Sequence, residues 1–253
     1  MRVLSLASGS KGNAYVVESE GAILLIDCAL SCRQLKERLA AFGFDAGAIA
    51  GVVFTHEHED HVKGVPVFAK KHPGVPLFAN ALTAEAAHLP DPYLFENCQP
   101  FEVGPFEVTA FSVPHDVSDP VGFVVKAGAR TYFHATDFGT PLDSIGARLR
   151  EADVATLEAN HDPGLLMQSG RPPLLKRRIL GASGHLSNDQ CADLVRRFAS
   201  PKLKHLSLAH LSGECNAPHL ASAAVGEALR EIGRGDVDLA VLEQDSAGGY
   251  WEC

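Results

Sequence analysis

The chain lacks any Cys-x-x-Cys pair, low-complexity tract, linker rich in Pro, Gly or Ser, or apolar run long enough to span a bilayer. Each absence excludes a class of protein. The six cysteines, Cys28, Cys32, Cys98, Cys191, Cys215 and Cys253, are isolated in sequence, which excludes a thioredoxin motif and a zinc ribbon. Met1-Arg2-Val3-Leu4-Ser5 runs straight into a strand pattern with no export signal, so free thiols are expected in a reducing cytoplasm. Without a linker, 253 residues of 46% hydrophobic content are expected to form one domain, 1–253, around a full core. Charged residues make up 21%, which excludes a chain dominated by disorder. A cationic excess is missing too. The formal charge is -9, so bulk attraction does not draw polyanions to the surface. Any nucleic-acid contact has to come from a local patch or from bound cations.

What is present is a succession of short apolar runs. Residues 3–6, 14–17 and 22–26 read as strands, with the turn-rich Ser8-Gly9-Ser10-Lys11-Gly12-Asn13 between the first two. Ser31 reads as the N-cap of a helix carrying Leu35, Leu39 and Phe42 on one face. Further strands are expected at 51–55, 75–79, 106–113, 121–126, 130–135, 154–157, 203–208 and 239–242. Helices are expected at 64–72, 141–149, from Ser187 with Gln190 three residues on as a capping box, and at 217–232. Runs of strands broken by helices in both halves fit helices layered outside two sheets better than one parallel sheet.

The strand Val52-Val53-Phe54 ends in Thr55-His56-Glu57-His58-Glu59-Asp60-His61. In extended chain His56 and His58 point to one side, and a turn into a following helix aims Asp60 and His61 elsewhere. That offers two imidazoles to one cation and a carboxylate with an imidazole to a second. These donors suit zinc, manganese or iron. The H-E-x-x-H zincin pattern is absent. Two ligands per metal are too few, so other donors are expected after later apolar runs: His115, Asp137 and His210. An aspartate bridging two cations would hold them about 3.5–4 Å apart. His185, ahead of Ser187-Asn188 at a capped helix start, suggests a phosphate seat or a proton donor to a leaving group. His161 is a weaker candidate, and Lys176-Arg177-Arg178 is the densest basic run, able to track phosphates but more often a solvated helix face.

The run His56 to His61 is the H-x-H-x-D-H signature that resembles the metallo-β-lactamase fold, and Leu25-Ile26-Asp27 resembles the aspartate-bearing strand ahead of it. Residues 7–13, Thr136-Asp137-Phe138-Gly139, Glu158-Ala159-Asn160-His161-Asp162, 184–188 and Ala209-His210-Leu211-Ser212 are similar to the YycJ/WalJ branch, small enzymes described as exonucleases. The resemblance implies an α/β architecture (α+β in some schemes), an αββα sandwich with the site at one edge of two sheets. It implies one metal on His56, His58 and His115, another on Asp60, His61 and His210, Asp137 as bridge and Asp27 as a residue orienting the ligands. No β-CASP insertion is visible, and Glu59 and Glu214 place acidic groups near the site.

Two divalent ions, zinc or manganese with iron as a third choice, would lower the pKa of a bridging water toward ~7 and need no protein nucleophile. The expected activity is therefore a metal-dependent phosphodiesterase acting as a DNA exonuclease, with 5′-to-3′ polarity favoured by the resemblance. The alternative is hydrolysis of a small ester, thioester, lactone or cyclic phosphodiester, with residues 90–95 as a pocket wall. A redox role is disfavoured because flavodiiron relatives usually carry glutamate where His58 stands. Nucleic acid is the expected partner, with no membrane involvement.

Overall fold

The computed structural model describes residues 1–252, so Cys253 lies outside the described residues. The chain divides into two compact units that interleave in sequence. The first takes residues 1–112, 117–129 and Glu243 onward; the second takes Val113–Asp116 and Arg130–Leu242.

In the first unit, β1 (Arg2–Ala7), β2 (Ala14–Ser19) and β3 (Ala22–Ile26) are buried along almost their whole length. They pair antiparallel in order. Two-sided burial explains why they read as unbroken apolar runs rather than alternating ones. Helix α1 (Cys32–Ala41) starts at Ser31 as expected and carries a full capping box with Gln34, buries Leu35 and Leu39, and crosses back to β4 (Ile49–Val53), which runs parallel to β3. A short turn of helix α2 (Glu59–Val62) and α3 (Val65–Lys71) follow. Pro66 sits in the first turn of α3, where its missing N–H costs nothing. Strand β5 (Leu77–Ala79), α4 (Ala81–Ala86) and the edge strand β6 (Tyr93–Leu94) complete this side.

Strands β7 (Pro100–Val103), β8 (Phe106–Ser112) and β9 (Val121–Ala127) form an antiparallel ladder in the same unit. Phe78, Phe95 and Phe101 stack there at 4.8–5.7 Å between ring centroids. The spacing is that of offset aromatic pairs.

The second unit is a run of right-sized β-α-β segments: β10 (Arg130–Ala135), α5 (Asp143–Leu149), β11 (Val154–Glu158), then α6 (Pro163–Gln168), α7 (Pro173–Ile179) and α8 (Asn188–Phe198), β12 (His205–Ala209), α9 (Pro218–Glu231) and β13 (Asp238–Val241). Strands β10, β11, β12 and β13 pair parallel in that order. The capping box expected at Ser187 and Gln190 opens α8. Gly146 lets α5 close on α8, because a Cβ there would lie 2.2 Å from the Phe198 ring. Strand β14 (Gly248–Glu252) returns to the first unit and pairs with β1, so its sheet runs β14-β1-β2-β3-β4-β5-β6.

Cys28, Cys191 and Cys215 are buried and unoxidised. Burial pushes the Cys28 thiol up to about 12, which keeps it protonated and inert. Cys215 packs with Leu166 and Ile179 as an ordinary small core residue.

Candidate metal centre

In the first unit the donors sit where two parallel strands end. Leu25 and Ile26 of β3 lie opposite Val52 and Val53 of β4, so Asp27 and Thr55 emerge side by side. Asp27 takes a left-handed backbone (φ 61°), which turns its carboxylate back across the strand ends at a local cost of order 1 kcal/mol. The Thr55 N–H and hydroxyl both donate to Asp27 Oδ1, at 2.9 and 3.0 Å, and His61 Nδ1 lies 2.7 Å from Asp27 Oδ2. A carboxylate can only accept there, so His61 carries its proton on Nδ1 and Nε2 keeps its lone pair.

That Nε2 lies 3.0 Å from Asn13 Nδ2 and 3.7 Å from Asp60 Oδ2. His56 Nε2 and His58 Nδ1 are 3.0 Å apart, and the rings of His56 and His61 are 4.0 Å apart. Main-chain bonds hold the run in place: Asn13 N–H donates to Asp60 O, Cys28 N–H to His61 O, and Gly64 N–H to Cys28 O. Gly64 has no room for a side chain, since a Cβ would lie 2.4 Å from Leu30 O.

In the second unit three adjacent parallel strands deliver the donors. Ala135 lies opposite Leu157, and Glu158 opposite Ala209. Asp137, Glu158 and His210 therefore collect at the carboxyl ends of β10, β11 and β12, the usual place for a site in parallel sheets. Asp137 (φ 60°) and His210 (φ 56°) also adopt left-handed backbone. One donor atom from each of Asp137, Glu158, His185 and His210 lies within 4.8 Å of the others. His115 reaches this group from the Val113–Asp116 excursion, held by Nδ1–H donation to Gly184 O at 3.1 Å and by Gly139 N–H donating to Pro114 O. Its ring is 5.2 Å from that of His185, which is 5.4 Å from that of His210.

Glu158 is fully buried. Phe138 N–H and Leu186 N–H donate to its Oε2, and His185 Nδ1 lies 2.7 Å from Oε1. Burial works against its charge, but the His185 imidazolium and the hydrogen bonds from His185 and His210 outweigh it and hold the carboxyl below its ordinary range. Burial likewise opposes charge on His185, and the facing Glu158 overcomes it, so His185 is raised. Asn160 Nδ2 donates to His210 O at 2.8 Å and lies 3.3 Å from its Nδ1.

Imidazole nitrogens set beside buried carboxylates and aspartate oxygens are a donor set that fits divalent transition metals. Among the sequence candidates the structure gathers His56, His58, Asp60, His61 and Asp27 in the first unit, and His115, Asp137, His185 and His210 in the second. Ser187 and Asn188 are engaged in holding α8: Ser187 Oγ accepts from Gln190 N–H, Asn188 N–H donates to His161 O, and Asn188 Nδ2 donates to Asn216 Oδ1. His161 is buried and lacks a hydrogen-bond partner on either ring nitrogen; burial lowers its pKa and keeps it neutral. Glu158, Asn160 and Asn13 were not legible as site residues. The signals for Glu158 were its place in a stretch similar to the YycJ/WalJ branch and a carboxylate closing the apolar run Val154–Leu157.

The β-lactamase superfamily domain model matches residues 23–210, which takes in every donor named above. The chain belongs to this superfamily. The metallo-β-lactamase fold is shared with the protein YhfI of Bacillus subtilis, at a TM-score of 0.72 and 18% identity over all of both chains. The chain is 32% identical to the exodeoxyribonuclease YycJ of Bacillus anthracis, over 91% of its own length and 89% of the relative's. It is equally 32% identical to the exodeoxyribonuclease WalJ of Streptococcus pneumoniae serotype 2, over 94% and 92%. It is a YycJ/WalJ-like member of the superfamily and a metallo-hydrolase. Among the described residues no helix is long and apolar enough to cross a membrane.

Proposed function

We propose that this superfamily member is a DNA exonuclease that cleaves phosphodiester bonds with two divalent cations, zinc or manganese, held by His56, His58, Asp60, His61, His115, Asp137 and His210, and that it works in the cytoplasm with 5′-to-3′ polarity. The 32% identity, over more than nine-tenths of the chain, to two relatives named exodeoxyribonucleases supports the choice of DNA. Bound cations supply Lewis acidity and charge for attack by water at phosphorus.

The protein side of the reaction rests on orientation and on one proton. Asp27 fixes the tautomer of His61 so that Nε2 faces Asp60. Glu158 stabilises protonated His185 through Nδ1 and leaves Nε2 as its remaining donor. As water adds to phosphorus it gives up a proton to solvent, the ester P–O bond breaks, and the departing alkoxide oxygen needs a proton, which His185 is equipped to deliver. The Glu158 carboxylate then faces a neutral imidazole that recovers the proton from solvent. The small-ester alternative has a cavity of about 440 Å³ lined by His72, Pro73, Leu77, Pro90, Asp91 and Tyr93, but no lining residue is among the donors.

The test is incubation of manganese- or zinc-loaded protein with single- and double-stranded DNA labelled separately at each end, with Asp60→Ala as control. Mononucleotide release from the 5′ label, absent in the control, is the expected result. Metal-loaded protein that is silent on every oligonucleotide would transfer the reading to small esters and cyclic phosphodiesters.

A further inference from the structure

Charge is distributed unevenly in this acidic chain. Residues 163–188 carry Arg171, Lys176, Arg177 and Arg178 and no carboxylate, within a chain of 22 basic and 31 acidic residues. This stretch contains α6 and α7. On α7, Leu174 is 79% exposed, and Arg177 and Arg178, three and four residues further on, share its exposed face. Met167 on α6 is 62% exposed, and Lys176 Nζ donates to Met167 O, tying the two helices together. The Arg177 side chain is exposed.

The segment is fastened to the donor cluster of its own unit. Arg178 Nε donates to Asp116, the neighbour of His115. Arg171 Nε donates to Glu214 at 2.9 Å and a terminal nitrogen reaches Ser212 Oγ at 3.3 Å, two residues beyond His210. Gly184 seats the loop after α7 against the helix end, since a Cβ there would lie 2.2 Å from Ile179 O and 2.3 Å from Arg178 O. His115 in turn donates to Gly184 O.

We propose that the exposed face of α6 and α7 binds single-stranded nucleic acid, with Arg177 and Arg178 on backbone phosphates and Leu174 and Met167 under bases or sugars. The inference rests on the nuclease reading and names how that substrate is held. Exposed cations interleaved with exposed apolar side chains match a polyanion with hydrophobic bases. Arg171 offsets the charge of Glu214, which otherwise repels phosphate beside His210. Residues 163–188 contain no Phe, Trp or Tyr to stack on bases, so the contact leans on phosphate charge and is salt-sensitive.

The experiment measures binding of the metal-loaded full chain to a cleavage-resistant phosphorothioate single strand across a salt series, alongside turnover of bis(p-nitrophenyl) phosphate. Arg177→Glu is expected to weaken binding roughly tenfold at low salt and to make the log–log salt slope shallower by about 0.7 or more. Leu174→Ser is expected to weaken binding with the slope unchanged. Both variants should turn over the small diester as wild type does. Undetectable wild-type binding, unchanged binding in Arg177→Glu, or diester turnover lost in parallel with binding would each overturn the proposal. Failure of wild type to cleave any DNA would remove the nuclease reading, while the binding isotherms still decide the surface.

Discussion

The two units solve the same problem with different means. In the first, a fully buried Asp27 at the end of β3 accepts from Thr55 and orients His61. In the second, a fully buried Glu158 at the end of β11 accepts from Phe138 and Leu186 and orients His185. Each buried carboxylate keeps two or more hydrogen bonds, as a desolvated charge requires. The difference lies in the supply of histidines. The first unit takes its three from six consecutive positions, whereas the second takes His115, His185 and His210 from separated segments held together by strand pairing. One set is a property of local chain geometry and the other of the sheet. They also differ in what their carboxylates set: a lone pair for a ligand on His61, a proton on His185.

The strongest way to break this division is to delete one member from each side. Asp60→Ala should take turnover below detection and lower metal content in a folded protein. His185→Ala should lose about 10²–10⁴-fold in turnover with metal content unchanged. Metal analysis beside kinetics decides, and equal metal loss in both variants would erase the distinction. The buried carboxylates sharpen it next. Asp27→Asn is expected to weaken metal affinity about 10–100-fold. Glu158→Gln removes the group that raises His185, so the protonated form is lost at lower pH and the alkaline limb of the rate profile should move down. An unmoved limb would take His185 out of the proton-transfer role.

Smaller effects concern the scaffolds that seat the two sets. A Cβ at Gly64 meets Leu30 O at 2.4 Å and Cys28 O at 2.5 Å, while one at Gly184 meets Ile179 O at 2.2 Å. Each Gly→Ala exchange should cost about 1–3 kcal/mol, read from denaturant midpoints, because backbone has to move. Acid titration separates the units last. His205, with Nδ1 bonded to Asp238 and Nε2 to Ser207, is held below its ordinary 6.5 by burial, against the pull of Asp238. The unfolded chain therefore takes a proton first as pH falls below 6.5, and stability declines from there to the folded value. Glu18 is held below its ordinary 4.5 by the Arg2 hydrogen bond, with burial opposing. Its contribution is present above 4.5 and is lost as pH falls through the folded value. Each step is worth about 1 kcal/mol or less. His205→Gln should erase only the upper window and Glu18→Gln only the lower one.

Several elements were legible because a local rule governs them. The two-sided strands β1 to β4 and β9 to β11 show as apolar runs, and Ser187 with Gln190 announces α8 through a capping box. Strands β7 and β14 were hidden: Pro100 opens the first and Gly248-Gly249 the second, residues that local propensity assigns to turns. Helices α6 and α7 each begin with proline after short polar segments and carry no long amphipathic period. Glu158 was hidden for a different reason, since one carboxylate at a strand end has no pattern of its own.

The amino-acid sequence by itself determined the histidine run and its metal chemistry, because six consecutive residues after a strand have few ways to point. It also determined the family, through stretches spread over nearly the whole chain. Only the tertiary structure decided that Glu158 stands behind His185, because the parallel pairing of β10, β11 and β12 brings together residues 137, 158 and 210. It alone decided that Asp27, Asp137 and His210 turn through left-handed backbone, a conformation that non-glycine residues keep where surrounding bonds outweigh its local cost.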